Sequence, residues 1–217
     1  MTFSLLGRCA RTGQIGAVVT TSAPCVGARV PHLAAGIGGV LTQHRTDPRL
    51  GPRGLALMRS GCTAAEAVAA LAASTPDHGW RQFAALDASG GKAAFSGARN
   101  KPVVGVAEAT DCIAIGNILA HDQVPPAMAQ AFAADAGLTL DERLLQALEA
   151  GEEAGGEGRP LRSAALVVVA GASFPLMDLR IDAADRPLPA LRALWEEYRP
   201  LAEDYLRRAL DPDSLGP

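Results

Sequence analysis

The stretch MTFSLLGRCARTGQIGAVVTTS, residues 1–22, constrains the fold more than any other part of this sequence. Two largely apolar runs, residues 3–10 and 14–22, flank the turn Arg11-Thr12-Gly13, in which glycine can adopt the positive φ of a tight hairpin. The pattern predicts two paired strands, the first of which begins directly after Met1. Thr2 therefore stands at the head of that strand, and removal of Met1 would give one residue both a hydroxyl and a free α-amino group.

Strand and helix patterns alternate in blocks along the rest of the chain. Further strands are predicted at 26–30, 36–42, 81–87, 92–96, 103–107, 111–116, 163–170 and 177–182. Helices are predicted at 48–59, from the capping-box pair Thr63 and Glu66 onward, and at 122–135, 139–150 and 188–209. The glycine- and acid-rich segment 151–160 predicts a flexible connection between the last two blocks.

The order of these blocks predicts the architecture. Two helix pairs, each lying between runs of strands, indicate two mainly antiparallel sheets stacked face to face, with helices on both outer faces. We therefore expect an α/β (α+β) protein with a four-layer α/β/β/α sandwich. A chain of 217 residues is long enough for one substantial core, so a single domain over residues 1–217 is expected.

Composition excludes several classes of function. A net charge of −3 and a pI near 5.8 argue against a nucleic-acid-binding protein. The longest apolar run, residues 164–172, is too short to cross a bilayer, and the first residues lack the pattern of a secretory signal, so a cytoplasmic protein without a membrane partner is expected. The cysteines are widely spaced and form no CxxC pair, which predicts neither a metal site nor a cofactor (Cys9, Cys25, Cys62 and Cys112).

Several segments occur in an order that resembles one known family. They are MTFSLLGRCARTGQIG (1–16), VGARVPHLAAGIGGVLTQ (26–43), DPRLGPRGLALMRSG (47–61), GNIL (116–119), RSAAL (162–166) and DLRID (178–182). Together they resemble the domain-of-unknown-function family ten-twenty-eight, in the N-terminal nucleophile (Ntn) hydrolase superfamily. The resemblance implies the four-layer sandwich that the block order predicts, and a nucleophile at the N-terminus. The chain departs from the expected pattern at His32, His44, Asp47 and Arg162, which bears on substrate identity more than on fold.

Thr2 and Asn117 are the candidate catalytic residues. An α-amine has a pKa of roughly 7.7–8, so the amine of a processed Thr2 can accept the proton of its own hydroxyl as that oxygen attacks a carbonyl. Asn117 ends a predicted strand in the GNIL motif, and its amide can donate a hydrogen bond to the negative charge that develops on the carbonyl oxygen. Asn117 can equally be a residue that stabilises a turn.

Other polar residues at predicted strand ends are candidates for substrate binding. They are Thr21, Ser22, Thr42 and Gln43, with Arg29 as a possible partner for a substrate carboxylate. Asp178, Arg180 and Asp182 alternate along one strand and form either a structural ion-pair set or part of substrate recognition. The four histidines are expected to be incidental to catalysis.

Two functions of different classes remain open from the sequence. The first is an amidohydrolase that cleaves a C–N amide bond of a small molecule or short peptide through a Thr2 acyl-ester. The second is a non-catalytic binding or scaffold protein on the same fold, favoured because no lysine lies near the first strands in sequence. A cysteine hydrolase using Cys9 or Cys25 lacks any activating context. A homo-oligomer is expected, because the resemblance implies a fold that often assembles and because the last helix carries Trp195 and Tyr198. These two aromatics can pack either internally or against a partner.

Overall fold

The computed structural model describes residues 1–215, in which ten strands form two antiparallel sheets. The strands are β1 (Thr2–Arg8), β2 (Ile15–Thr21), β3 (Pro31–Ala34), β4 (Gly38–Gln43), β5 (Gln82–Asp87), β6 (Lys92–Ser96), β7 (Val104–Ala109), β8 (Cys112–Asn117), β9 (Ser163–Val169) and β10 (Met177–Ile181). The larger sheet has the order β10-β9-β2-β1-β8-β7, and the smaller has the order β3-β4-β5-β6. Strand β1 therefore lies near the middle of the larger sheet, between β2 and β8.

Helices cover the outer face of each sheet. They are α1 (Leu50–Arg59), α2 (Ala64–Ser74), α3 (Val124–Ala134), α4 (Leu140–Glu153), α5 (Pro187–Tyr198) and α6 (Ala202–Leu210). The first two pack on the smaller sheet, and the next three pack on the larger one. A third apolar layer, which includes Leu6, Leu41 and Ile115, lies between the sheets. The predicted four-layer α/β/β/α sandwich is confirmed, as is the capping box of Thr63 and Glu66 at the start of α2.

Strand β1 shows why its sequence reads as a continuous apolar run. Phe3 and Leu5 point toward helices α3 and α4, whereas Leu6 points between the sheets, so both faces of the strand are buried. Gly7 lies so close to Phe132 that a β-carbon at this position would stand 2.4 Å from the ring. A glycine at this point of β1 therefore lets helix α3 approach the sheet.

The structure corrects two of the predicted elements. The segment predicted as a strand at 26–30 holds a single 3-10 turn, Val26–Ala28, because the hydroxyl of Ser163 accepts the Val26 N–H and the chain bends there; strand β3 follows it. The predicted helix 188–209 is divided by a 3-10 turn at Arg199–Leu201, because Pro200 cannot donate a hydrogen bond within a continuous helix.

The segment 151–160 and Trp195 are more closely packed than the sequence suggested. Helix α4 continues to Glu153, and Glu157 is buried and forms an isolated bridge with Leu119. Trp195 is only 4% exposed and donates a hydrogen bond from Nε1 to Asp141 at 2.7 Å, so it offers no surface to a partner. The homo-oligomer stays a prediction, and Trp195 no longer supports it. None of the helices within residues 1–215 has the length and apolar character that a membrane crossing requires.

Candidate active site

The layer between the two sheets changes from apolar to polar toward the head of β1. Its apolar part includes Leu6, Leu41 and Ile115. Its polar part lies on the same inward faces of the strands and consists of Thr2, Ser4, Thr21, Gln43, Gln82 and Asn117, all of them buried. Buried polar side chains are retained where they are hydrogen-bonded to one another, so this end of the layer is a candidate site.

Strand register brings the two candidate catalytic residues together. Thr2 of β1 pairs with Asn117 of β8, and Phe3 pairs with Thr20 of β2, which places Thr21 beside Thr2 on its other flank. The Thr2 and Thr21 hydroxyl oxygens are 3.4 Å apart. Both hydroxyls donate to the carbonyl oxygen of Met1, Thr21 at 2.5 Å. The hydroxyl of Thr2 is thus held beside a second hydroxyl and a carbonyl group.

Two glutamines of the smaller sheet face Thr2 across the interior. Gln82 directs Nε2 at the carbonyl oxygen of Gly116, 2.9 Å away, which leaves its Oε1 to accept from Gln43 at 2.8 Å and from Asn117 at 3.0 Å. Gln43 in turn accepts from the Ser4 hydroxyl at 2.7 Å. Since a backbone carbonyl can only accept, it determines the orientation of each amide in this chain.

Asn117 is left with unused hydrogen-bonding capacity. One hydrogen of its Nδ2 goes to Gln82, and the second remains, while Oδ1 is buried and has no partner among the described residues. Asn117 is fully buried. The side chain predicted as an oxyanion donor therefore lies beside Thr2 with one N–H and one acceptor atom free.

Glu157 also reaches this site, and it is not among the residues predicted from the sequence. Its Oε2 accepts the backbone N–H of Ser22 at 3.0 Å, and its Oε1 is buried without a partner among the described residues. Burial raises the pKa of the Glu157 carboxyl. The α-amine of Met1 has its pKa lowered by burial, and the charge of Glu157 partly opposes that effect. The only sequence signal was one acid among several in a glycine-rich segment, which is typical of a solvated connection.

Lys101 comes close to the site, although no lysine lies near the first strands in sequence. The Ile118 N–H donates to the Lys101 carbonyl at 3.4 Å, so Lys101 lies against the chain that follows Asn117. Its positive charge contributes to lowering the pKa of the N-terminal amine. The sequence did not suggest this because the lysine lies in the loop between β6 and β7, and only the pairing of β7 with β8 brings that loop to the head of β1.

His44 holds this loop in place. Its Nδ1 donates to the Trp80 carbonyl at 2.7 Å, and its Nε2 accepts the backbone N–H of Lys101 at 3.2 Å. Burial lowers the pKa of His44, so the neutral form with both bonds is favoured. The histidine predicted as incidental is therefore a structural link between the rim of the site and strand β4.

The remaining predicted residues lie at varying distances from this centre. Ser22 is adjacent, with its hydroxyl 3.9 Å from the Met1 sulfur. Thr42 faces the opposite side of β4 from Gln43 and donates to the Asp47 carbonyl at 3.3 Å. The guanidinium of Arg29 donates to the carbonyl of Pro24 at 3.0 Å, beside the 3-10 turn. The structure gives neither of these two a contact with Thr2.

The acid–arginine strand, Cys9 and Cys112 lie away from Thr2. Arg180 and Asp182 form an ion pair at 3.2 Å at the exposed edge strand β10, which agrees with a structural pair. Cys9 follows the far end of β1, and burial raises the pKa of Cys112 to about 11, which keeps that thiol protonated. Across residues 1–215, no three His, Cys, Asp or Glu side chains are grouped so that they could hold a metal ion.

Comparison with known proteins identifies the family. Residues 2–191 match the model of a family of unknown function, DUF1028, so the chain belongs to that family. A crystal structure of protein SPO2555 from Silicibacter pomeroyi, assigned to the same family, is 35% identical with a TM-score of 0.85, and the match covers 91% of this chain and 85% of that one.

One other structure and the curated proteins add little. Anbu (ancestral beta-subunit) from Yersinia bercovieri is 12% identical with a TM-score of 0.44, over 94% of this chain and 97% of that one, a likeness too low to carry an argument. No curated protein matches the chain.

Proposed function

We propose that this protein is an amidohydrolase in which Thr2, freed of Met1, attacks a C–N amide bond of a small molecule or short peptide. One observation carries the proposal. Thr2 stands at the head of a central strand with its side chain turned into the polar end of the inter-sheet layer, beside Thr21 and Asn117. A hydroxyl in that position is flanked by hydrogen-bond donors rather than packed among apolar side chains.

The proposed reaction uses the Thr2 α-amine as base. The Thr2 hydroxyl oxygen bonds to the substrate carbonyl carbon as its proton passes to the amine. The C–N bond then breaks, the leaving amine takes that proton, and an ester remains on Thr2. Water adds to the ester, again losing a proton to the amine, and the carboxylic acid leaves as the hydroxyl is restored.

The negative charge on the carbonyl oxygen requires nearby donors. Thr21 supports this role because its hydroxyl already donates to a carbonyl oxygen, that of Met1, at 2.5 Å. The second N–H of Asn117 is the other candidate. Loss of one such donor typically costs about 100–1,000-fold in rate.

Removal of Met1 is essential to this mechanism. While Met1 is attached, the nitrogen of Thr2 is an amide and cannot act as a base. A small residue such as threonine after the methionine is the pattern that methionine aminopeptidases accept. We therefore expect the mature protein to begin with Thr2.

Intact mass and active-site labelling test the proposal together. Protein beginning at Thr2 should gain the mass of one β-lactone per chain, whereas protein that retains Met1 should not. Thr2→Ala should abolish labelling with little change in Tm, Thr2→Ser should retain labelling, and Thr12→Ala, at an exposed turn threonine, should behave as wild type. Undiminished labelling, or full turnover of a confirmed amide substrate, by Thr2→Ala would refute the mechanism.

A non-catalytic binding protein is the second candidate. The observation in its favour is that Met1 fits the site, with its carbonyl oxygen accepting from the hydroxyls of Thr2 and Thr21. Protein purified from its native host with Met1 fully retained would support this function. Complete removal of Met1 there would argue against it.

A further inference from the structure

Two buried acceptor atoms at the head of β1 have no donor within the part of the chain that the structure describes. They are Oε1 of Glu157 and Oδ1 of Asn117. Among the described residues, Glu157 has the only buried carboxylate oxygen without a partner, and Asn117 has one of two such asparagine oxygens. An unsatisfied buried acceptor is costly, and a buried carboxylate more so. Each such atom in a folded protein calls for an explanation, and a ligand or group that brings donors is one.

Both residues lie at the end of β1 that carries the Thr2 nitrogen. Asn117 pairs with Thr2 across β1 and β8, and the bridge between Leu119 and Glu157 brings the carboxylate to the same end of β8. On the other flank, Glu157 accepts from the N–H of Ser22, the residue after Thr21. The two acceptors thus reach the head of β1 from the sides of β8 and β2.

The missing partner should be rich in donors and positively charged. With Met1 attached, Thr2 contributes at most one amide N–H at this place, and its hydroxyl is used on the Met1 carbonyl. Once Met1 is removed, the same nitrogen becomes an ammonium group with three N–H donors. An ammonium ion satisfies both acceptors and neutralises the buried carboxylate at once.

We propose that Glu157, with Asn117, forms the binding site for the α-ammonium of the mature Thr2, and that Glu157 is a positioning residue of the reaction. The inference rests on the proposed function for its catalytic part only. As the Thr2 hydroxyl gives its proton to the amine, the carboxylate stabilises the ammonium that forms and keeps the nitrogen directed at the hydroxyl. The carboxylate itself neither gains nor loses a proton.

Other charges near the amine act in the opposite direction. At the α-amine of Met1, one residue before Thr2, burial, Lys101 and Arg159 all lower the pKa and so disfavour the charged form. His44 also faces this region and is neutral near pH 7 because burial lowers its pKa. Glu157 raises the pKa of the Met1 amine. By the same charge it should favour the ammonium of Thr2 once Thr2 is the N-terminal residue, so its removal should lower the pKa of the Thr2 amine.

The experiment measures the pKa of the Thr2 amine directly. The chain beginning at Thr2 is prepared by cleaving an N-terminal fusion, and the amine is titrated through the pH dependence of its reductive methylation with ¹³C-formaldehyde. Loss of an opposite charge at short range shifts a pKa by about one unit or more, so Glu157→Gln should lower the midpoint by about one pH unit. Glu153→Gln removes an exposed acid from the same segment and should leave it unchanged.

The β-lactone labelling rate gives the catalytic readout. In Glu157→Gln the rate should fall by about tenfold, and its pH profile should move to lower pH with the amine midpoint. The lactone carries no ammonium group, so this loss cannot come from a lost contact to the probe. Glu157→Asp, which keeps the charge, should retain most of the wild-type midpoint and provides the test if Glu157→Gln fails to fold.

The outcomes separate this inference from the proposed function. The ammonium site is refuted if the amine midpoint is the same in wild type and in Glu157→Gln. If Glu157→Gln does not fold, the site is refuted by a Glu157→Asp midpoint that lies one full pH unit from that of wild type. A wild-type chain that begins at Thr2 and takes no label refutes the nucleophile, whereas a midpoint that still moves with Glu157 upholds the ammonium site.

Discussion

Replacement of Gln82 by leucine tests whether the buried amide chain holds the candidate site together. Gln82 is fully buried, and its Oε1 accepts from both Gln43 and Asn117, while its Nε2 donates to the carbonyl of Gly116. Leucine has a similar size and no polar atoms. The substitution therefore removes one hydrogen-bond partner from each of three groups: the Gln43 and Asn117 amides and the Gly116 carbonyl.

The magnitude follows from these three groups. Loss of a partner by a buried polar group costs about 1–3 kcal/mol, least for Gln43, whose Nε2 can still donate to the Thr2 carbonyl, and the apolar leucine recovers part of the total. We expect the free energy of unfolding to fall by about 3 kcal/mol. In a protein of this size 1 kcal/mol corresponds to about 2–4 °C, so Tm should fall by roughly 6–12 °C.

Chemical denaturation and thermal melting measure this change. Gln123→Leu makes the same substitution at an exposed glutamine and should alter the free energy of unfolding by less than about 0.5 kcal/mol. In a double-mutant cycle, Gln43→Leu combined with Gln82→Leu should cost clearly less than the sum of the two single changes, because they remove partners of one another. A Tm for Gln82→Leu within 2 °C of wild type, or strict additivity in the cycle, would refute this reasoning.

Two further predictions concern the rim of the site and the helical layer. Burial lowers the pKa of His44, so the folded protein holds this residue neutral. Its contribution to the free energy of unfolding is therefore fully present above the ordinary histidine pKa of about 6.5, and it is lost as the pH falls through and below that value. Thermal melts between pH 5 and 8 should show a fall in Tm toward pH 5 that is smaller in His44→Gln; an equal fall in both proteins would contradict the assignment. Trp195→Phe should lower the free energy of unfolding by about 1–3 kcal/mol, since it leaves the buried Asp141 carboxylate without its indole donor. If the double variant Trp195→Phe/Asp141→Leu loses as much free energy as the two single variants added together, this explanation is wrong.

Local pattern was sufficient for most of the secondary structure. The hairpin of β1 and β2, the capping box at Thr63 and the alternation of strand and helix blocks all depend on neighbouring residues, and they were predicted correctly. The errors at 26–30 and at 188–209 arose where the chain's course depends on a distant partner, Ser163, or on a single proline, Pro200. In both cases the apolar spacing alone resembled a regular element.

The candidate site was predictable only in part, for the same reason. Thr2 begins its strand, and Thr21 and Asn117 end the two neighbouring strands. Their places at the predicted strand ends were therefore enough to select them. Thr42 and Gln43 were selected together because they end the same strand, yet successive residues of a strand face opposite sides, and only Gln43 faces Thr2. Which of the two faces inward depends on how the second sheet packs.

By itself the sequence determined the strands, the helices and the presence of a hydroxyl residue at the head of the first strand, because short-range periodicity and turn chemistry carry that information. Only the tertiary structure decided which charges and amides surround that hydroxyl. Glu157 and Lys101 lie in connecting segments whose composition is typical of solvated loops, and Gln82 lies in a different sheet from Thr2. They meet because the two sheets stack and because β8 pairs with both β1 and β7, and such long-range pairing leaves no local mark on the residues it brings together.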